Sequence, residues 1–123
     1  MYEVNRSVII LRPKQPFLDW LQSLPGELDP ALTLTELREN GNAILVPAVD
    51  RLDELHEFLS QHCLALFEAE LADWCEEDRL WPQPLTPTLF AQWFDVGVHG
   101  VVTDLVEEPL ERERFLPFDL SDE

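Results

Sequence analysis

The sequence predicts an α+β domain, or a small α/β one: a three- to four-stranded mixed sheet with helices packed mainly on one face and one long amphipathic helix over about residues 50–75. Three observations carry that reading. Val8, Ile9, Ile10 and Leu11 form a continuous, mostly β-branched apolar run, the pattern of a central strand covered on both faces. Leu52, Leu55, Phe58, Leu59, Leu66, Phe67, Leu71 and Trp74 recur at helical spacing, which fits neither strand alternation nor a loop. Residues 98–106 alternate, with Val98, Val102 and Val106 on one side of a strand and His99, Val101 and Leu105 on the other.

The elements follow in order from local chemistry. Pro13 and Pro16 end the first strand, and Pro16 opens a short helix over 17–24 whose apolar face is Phe17, Leu18, Trp20, Leu21 and Leu24. Pro25, Gly26 and Pro30 make the next connection a loop. Thr33 and Glu36 form a capping box for a second helix that stops at Gly41. Residues 43–46 read as a second strand closed by Pro47, and a right-handed parallel crossover from the first strand is the expected connection. Asp50 is the expected N-cap of the long helix, which would run ~39 Å and is therefore allowed a break at 61–64. Pro82, Pro84 and Pro87 keep 80–87 irregular; Thr86 then caps a helix that runs to about Asp95, with Gly97 separating it from the third strand. Residues 1–106 form the single globular domain, and 107–123 an acidic C-terminal tail that Leu110, Phe115, Leu116, Phe118 and Leu120 pack back onto it.

Charge sets the functional bounds. With 25 acids against 8 bases in 123 residues, the net charge of -17 opposes approach to nucleic acid, heparin or an anionic membrane, so a basic protein is the expected partner. No apolar run is long enough to span a membrane and no cleavable signal pattern is present, so the expectation is a cytoplasmic protein. Cys63 and Cys75 are expected as buried thiols rather than a disulfide framework.

Residues 32–50 and 70–111 resemble a family of small, acidic, uncharacterised bacterial proteins. The most specific pieces are Trp81-Pro82 followed by Thr86, and Trp93-Phe94-Asp95 followed by Val98-His99. The resemblance implies a bacterial cytoplasmic origin; no activity is established for the family, so it transfers no active-site residue.

Candidate chemistry is sparse. His56, His62, Cys63, Cys75 and His99 carry zinc-binding atoms, but no helical pair of them falls at a spacing of three or four, so no metal and no cofactor are expected. Asp95, His99 and Asp104 suggest acid–base work, yet His99 and Asp104 differ by five residues on a strand and point to opposite faces. Glu70, Asp73 and Glu77 share a helical face that reads as solvated. No nucleophile elbow or other catalytic motif is present, so no catalytic residue is assigned. The leading reading is a non-enzymatic interaction domain whose anionic helical face, built from Asp53, Glu54, Glu57, Asp73, Glu76 and Glu77 with Trp74 and Trp81 beside it, meets a basic protein. Mimicry of a phosphate array and an inhibitor of a toxic partner are two forms of it. The alternative is a small enzyme or ligand-binding domain with a pocket between Asp95, His99 and the 81–87 loop.

Overall fold

The structure is a computed structural model that describes residues 1–26 and 28–115. The chain runs β1 (Tyr2–Val4), β2 (Arg6–Pro13), α1 (Gln15–Ser23), α2 (Leu34–Glu39), β3 (Asn42–Pro47), α3 (Leu52–Ala72), a 3₁₀ turn (Asp78–Leu80), α4 (Pro87–Trp93), β4 (Phe94–His99) and β5 (Val102–Asp104). β2 is the centre of a three-stranded sheet in the order β3-β2-β4, and β1 pairs with β5 beside it. The α+β class is as expected. Every pairing is antiparallel, however, so the parallel crossover and the mixed sheet do not occur. Helices α1 and α2 lie between β2 and β3, but they return the chain beside β2 in the opposite sense.

The run 8–11 is central without being covered on both faces. Ser7, Ile9, Leu11 and Pro13 are buried, whereas Arg6, Val8, Ile10 and Arg12 are partly exposed. Ile9 and Leu11 join the core with α1, α3 and α4; Val8 and Ile10, on the other face, do not. Ser7 is the one buried polar side chain among the described residues; its hydroxyl donates to Gly100 O at 3.1 Å and accepts from Val49 N–H at 3.4 Å. That contact sits at the bend of Gly100, so the expected strand over 98–106 is instead β4, which starts at Phe94 and ends at His99, and a separate β5.

Caps behave as their chemistry requires. Thr33 Oγ1 accepts from Glu36 N–H at 3.2 Å and Thr86 Oγ1 from Leu89 N–H at 3.0 Å, with Pro87 in the first turn of α4. Asp50 does not cap α3; Arg51 occupies the N-cap without a side-chain cap bond and pairs with Asp53 at 3.1 Å instead. α3 runs unbroken across 61–64. Helix α4 ends at Trp93 and β4 begins at once, because Trp93 O accepts from Lys14 N–H at 2.8 Å and Phe94 pairs with Pro13. Gly97 therefore lies inside β4, where a Cβ would stand 2.9 Å from Arg12 Nη1. Gly41 likewise serves close approach: a Cβ there would meet Leu11 O at 2.8 Å.

The core is an aromatic cluster. Phe67 of α3 meets Phe90, Trp93 and Phe94 with ring centroids 5.8, 5.5 and 5.6 Å away, and Phe17 meets Trp20, Trp93 and Phe94 at 5.5, 6.0 and 5.4 Å. Of the stripe on α3, Leu55, Phe67 and Leu71 are fully buried, while Leu52 is 61% exposed. The described part of the tail does not pack back: Leu110 and Phe115 are 63% and 76% exposed, and Tyr2 Oη donates to Glu107 Oε2 at 2.7 Å. Leu116, Phe118 and Leu120 lie outside the described residues. Phe67→Ala is expected to cost ~3–5 kcal/mol in urea unfolding, and Leu52→Ala less than ~0.5 kcal/mol; similar losses for both would refute this assignment of the core.

Candidate functional site

The anionic face expected from the sequence divides in two. Asp53, Glu54 and Glu57 are exposed on the first turns of α3, whereas Asp73 is its C-cap and Glu76 and Glu77 lie beyond. Twenty residues of helix set the two groups ~30 Å apart. Asp53 is paired with Arg51 and Glu77 with Arg79, the latter at 2.7 Å, and these exposed pairs contribute little to stability.

The C-terminal end of α3 is the richer of the two. Trp74 lies in the turn just beyond the end of α3, and its indole is 46% exposed. Cavities flank it on both sides. One, of about 230 Å³, is lined by Leu21, Leu24, Pro25, Gly26 and Leu28; the other, of about 260 Å³, is lined by Leu11, Leu32, Glu36, Leu37, Asn42 and Glu70 among others. The last turn of α3 contains no base, so Asp73 adds charge to the negative pole of the helix dipole.

Glu70 is the residue that sequence reasoning misplaced. It was expected on a solvated face with Asp73 and Glu77; instead it is half-buried against β3, and burial raises its carboxyl above the usual 4.5, with Asp73 adding to the rise and a hydrogen bond from Asn42 opposing it. No donor among the described residues reaches its buried Oε1. A signal was present: Cys63, Phe67, Glu70 and Trp74 are spaced four, three and four, so residue 70 falls on the buried stripe.

Trp81 is not a surface aromatic. It is buried, its Nε1 donates to Cys75 O at 2.7 Å, and Trp20 Nε1 donates to the neighbouring Leu80 O at 2.9 Å, so the two indoles fasten the loop after α3 to the core. The alternative pocket is not assembled either. Asp95 is bound by Arg38 at 2.8 Å and Lys14 at 3.7 Å, and His99 lies four residues further along β4, ~13 Å away. Asp104 is beyond the bend, opposite Tyr2. A cavity of about 320 Å³ does include Lys14, His56, Cys63 and Asp95, but His99 does not line it, and His56 and Cys63 are two turns apart on α3, ~10 Å. Among the described residues, no three His, Cys, Asp or Glu side chains form a group that could hold a metal ion, and no helix is long and apolar enough to cross a membrane.

No protein-family model, curated protein or solved structure matches the chain.

Because the folded protein holds the Glu70 proton to higher pH than the unfolded chain does, stability falls as pH rises from about 4.5 through the raised value. Glu70→Gln is expected to be up to ~1 kcal/mol more stable than the parent near pH 7, with the difference vanishing near pH 4. Thermal unfolding at both pH values checks this; a variant destabilised equally at both would show that the ionised carboxylate costs nothing.

Proposed function

We propose that the protein is a non-enzymatic interaction domain that docks a basic protein on the acidic surface around Trp74. One observation carries the reading: a half-exposed indole lies at the negative pole of α3, beside exposed Asp73 and Glu76, and lines a cavity on either side. Exposed charge of one sign steers and selects partners of the other, and an aromatic in its midst supplies contact area and a cation–π face. The distant Asp53, Glu54 and Glu57 add to the long-range field rather than to the contact.

The same proposal sets the chain among the small acidic bacterial proteins it resembles at 81–86 and 93–99, and in the cytoplasm. The unbridged thiols of Cys63 and Cys75 accord with a reducing compartment. Nucleic acid and membranes are not among the proposed partners, on the strength of the net charge of -17.

Affinity capture from native lysate tests the reading. A basic protein should be retained at ~50 mM salt and lost at ~300 mM. Asp73→Lys with Glu76→Lys should abolish the capture, and Asp53→Lys with Glu54→Lys should weaken it only slightly. Equal capture by both variants would assign the binding to net charge alone and overturn the Trp74 surface.

A further inference from the structure

Residue 70 stands where the packing of α3 calls for an apolar side chain. Cys63, Phe67 and Leu71 around it are buried, and Asn42, which donates to the Glu70 carboxyl, is opposite the buried Leu11 in the sheet. The outcome is an acid whose Oε1 is shut from solvent and met by no donor among the described residues. An apolar residue of similar size would avoid that cost. Glu70 also lines the cavity beside it together with Glu36, and two carboxylates there suit an occupant that brings positive charge and hydrogen-bond donors.

The adjoining cavity is built for such an occupant. Its volume of about 260 Å³ is below the roughly 300–1,000 Å³ of sites for drug-sized ligands, and suits one extended side chain. Leu11, Leu32, Leu37 and Trp74 give it apolar and aromatic walls; Glu36 and Glu70 give it two carboxylates, and no base stands among its described lining residues. The wall formed by α2 is held at both ends, by the Thr33 cap and by Asn40 Nδ2 donating to Glu36 O at 2.9 Å. Glu70 lies in the last turn of α3, where the carbonyl ends of the helix favour a cation.

Between the two common cationic groups the walls favour guanidinium. It is more weakly hydrated than ammonium, so entering an apolar cavity costs it less, and its plane stacks on an indole. Its several donors can serve Glu70 and a second acceptor at once. We propose that this cavity receives an arginine side chain of the basic partner, with the guanidinium toward Glu70 and the stem along Leu32 and Leu37. This rests on the reading of the Trp74 surface as the docking site and supplies its anchor. A desolvated charge pair is screened far less than the exposed carboxylates, so the anchor persists at salt concentrations that remove the surface attraction.

The test is a titration of the folded protein with n-butylguanidinium at ~300 mM salt, followed by amide chemical shifts. Saturable binding with a Kd on the order of 1 mM is expected, with shifts at Leu32, Leu37, Asn42 and Trp74. Glu70→Gln should weaken it at least tenfold and Trp74→Ala about threefold, with unperturbed shifts elsewhere showing that both variants are folded. n-Butylammonium should bind more weakly and butyrate not at all. A capped Gly-Arg-Gly peptide should bind at least as well as n-butylguanidinium; a peptide that fails where the small cation binds overturns the arginine source. No saturable binding, or equal binding by Glu70→Gln, overturns the pocket even where the basic protein is still captured. Loss of the capture with the titration intact sinks the docking surface and leaves a cation pocket.

Discussion

Phe67 packs on Phe90, Trp93 and Phe94, and through Trp93 and Phe94 on Phe17, so that α3, α4, β4 and α1 are all held by one set of aromatic rings. The cluster forms on the side of the sheet to which Ile9 and Leu11 point. It draws the helices to that side and leaves Val8 and Ile10 on the other. It also sets the rotation of α3 about its axis. With Phe67 and Leu71 turned fully inward, helical geometry directs residue 70 toward the sheet edge at Asn42 and brings Trp74 out beyond it. The candidate site thus lies where α3 ends, at the edge of the core it seals.

Electrostatics act on this site differently at its rim and its floor. Asp73 and Glu76 are exposed, and solvent and salt moderate their field. Glu70 is half-buried with one carboxyl oxygen shut from solvent, and its neighbour Asp73 makes ionisation harder still. An exposed acid favours any cation weakly, whereas a desolvated acid with an adjoining cavity favours one that fits. The division of labour is between steering at the rim and selection at the floor.

Much of the architecture was legible because it is written locally. The Thr33 and Thr86 caps, the strand at 8–11 and the stripe of α3 each depend on residues within one or two turns, and each is found. Strand direction was not legible, since it depends on which edges meet across some thirty residues, and two short helices in the connection suggested a crossover that the chain does not make. One glycine misleads for a related reason. Gly41 does follow the cap of α2, but Gly97, which reads as a helix stop, lies inside β4 beside Arg12 of the neighbouring strand. Trp81 was read beside acids and is buried beneath them, because its partner, the carbonyl of Cys75, is invisible to composition. Glu70 escapes a reading by charge, although its spacing of three and four from Phe67 and Trp74 places it beside the buried stripe.

Glu70, in this reading, is a carboxyl partly withheld from water by the fold and completed by a cation. Its side-chain carboxyl resonance, followed by carbon-detected NMR across pH with and without n-butylguanidinium, reports on this at the atom concerned. The expected result is a midpoint above the usual 4.5 in the protein alone and a fall toward or below it when the cation is present at saturation. A midpoint in the ordinary range that the cation does not move would contradict it.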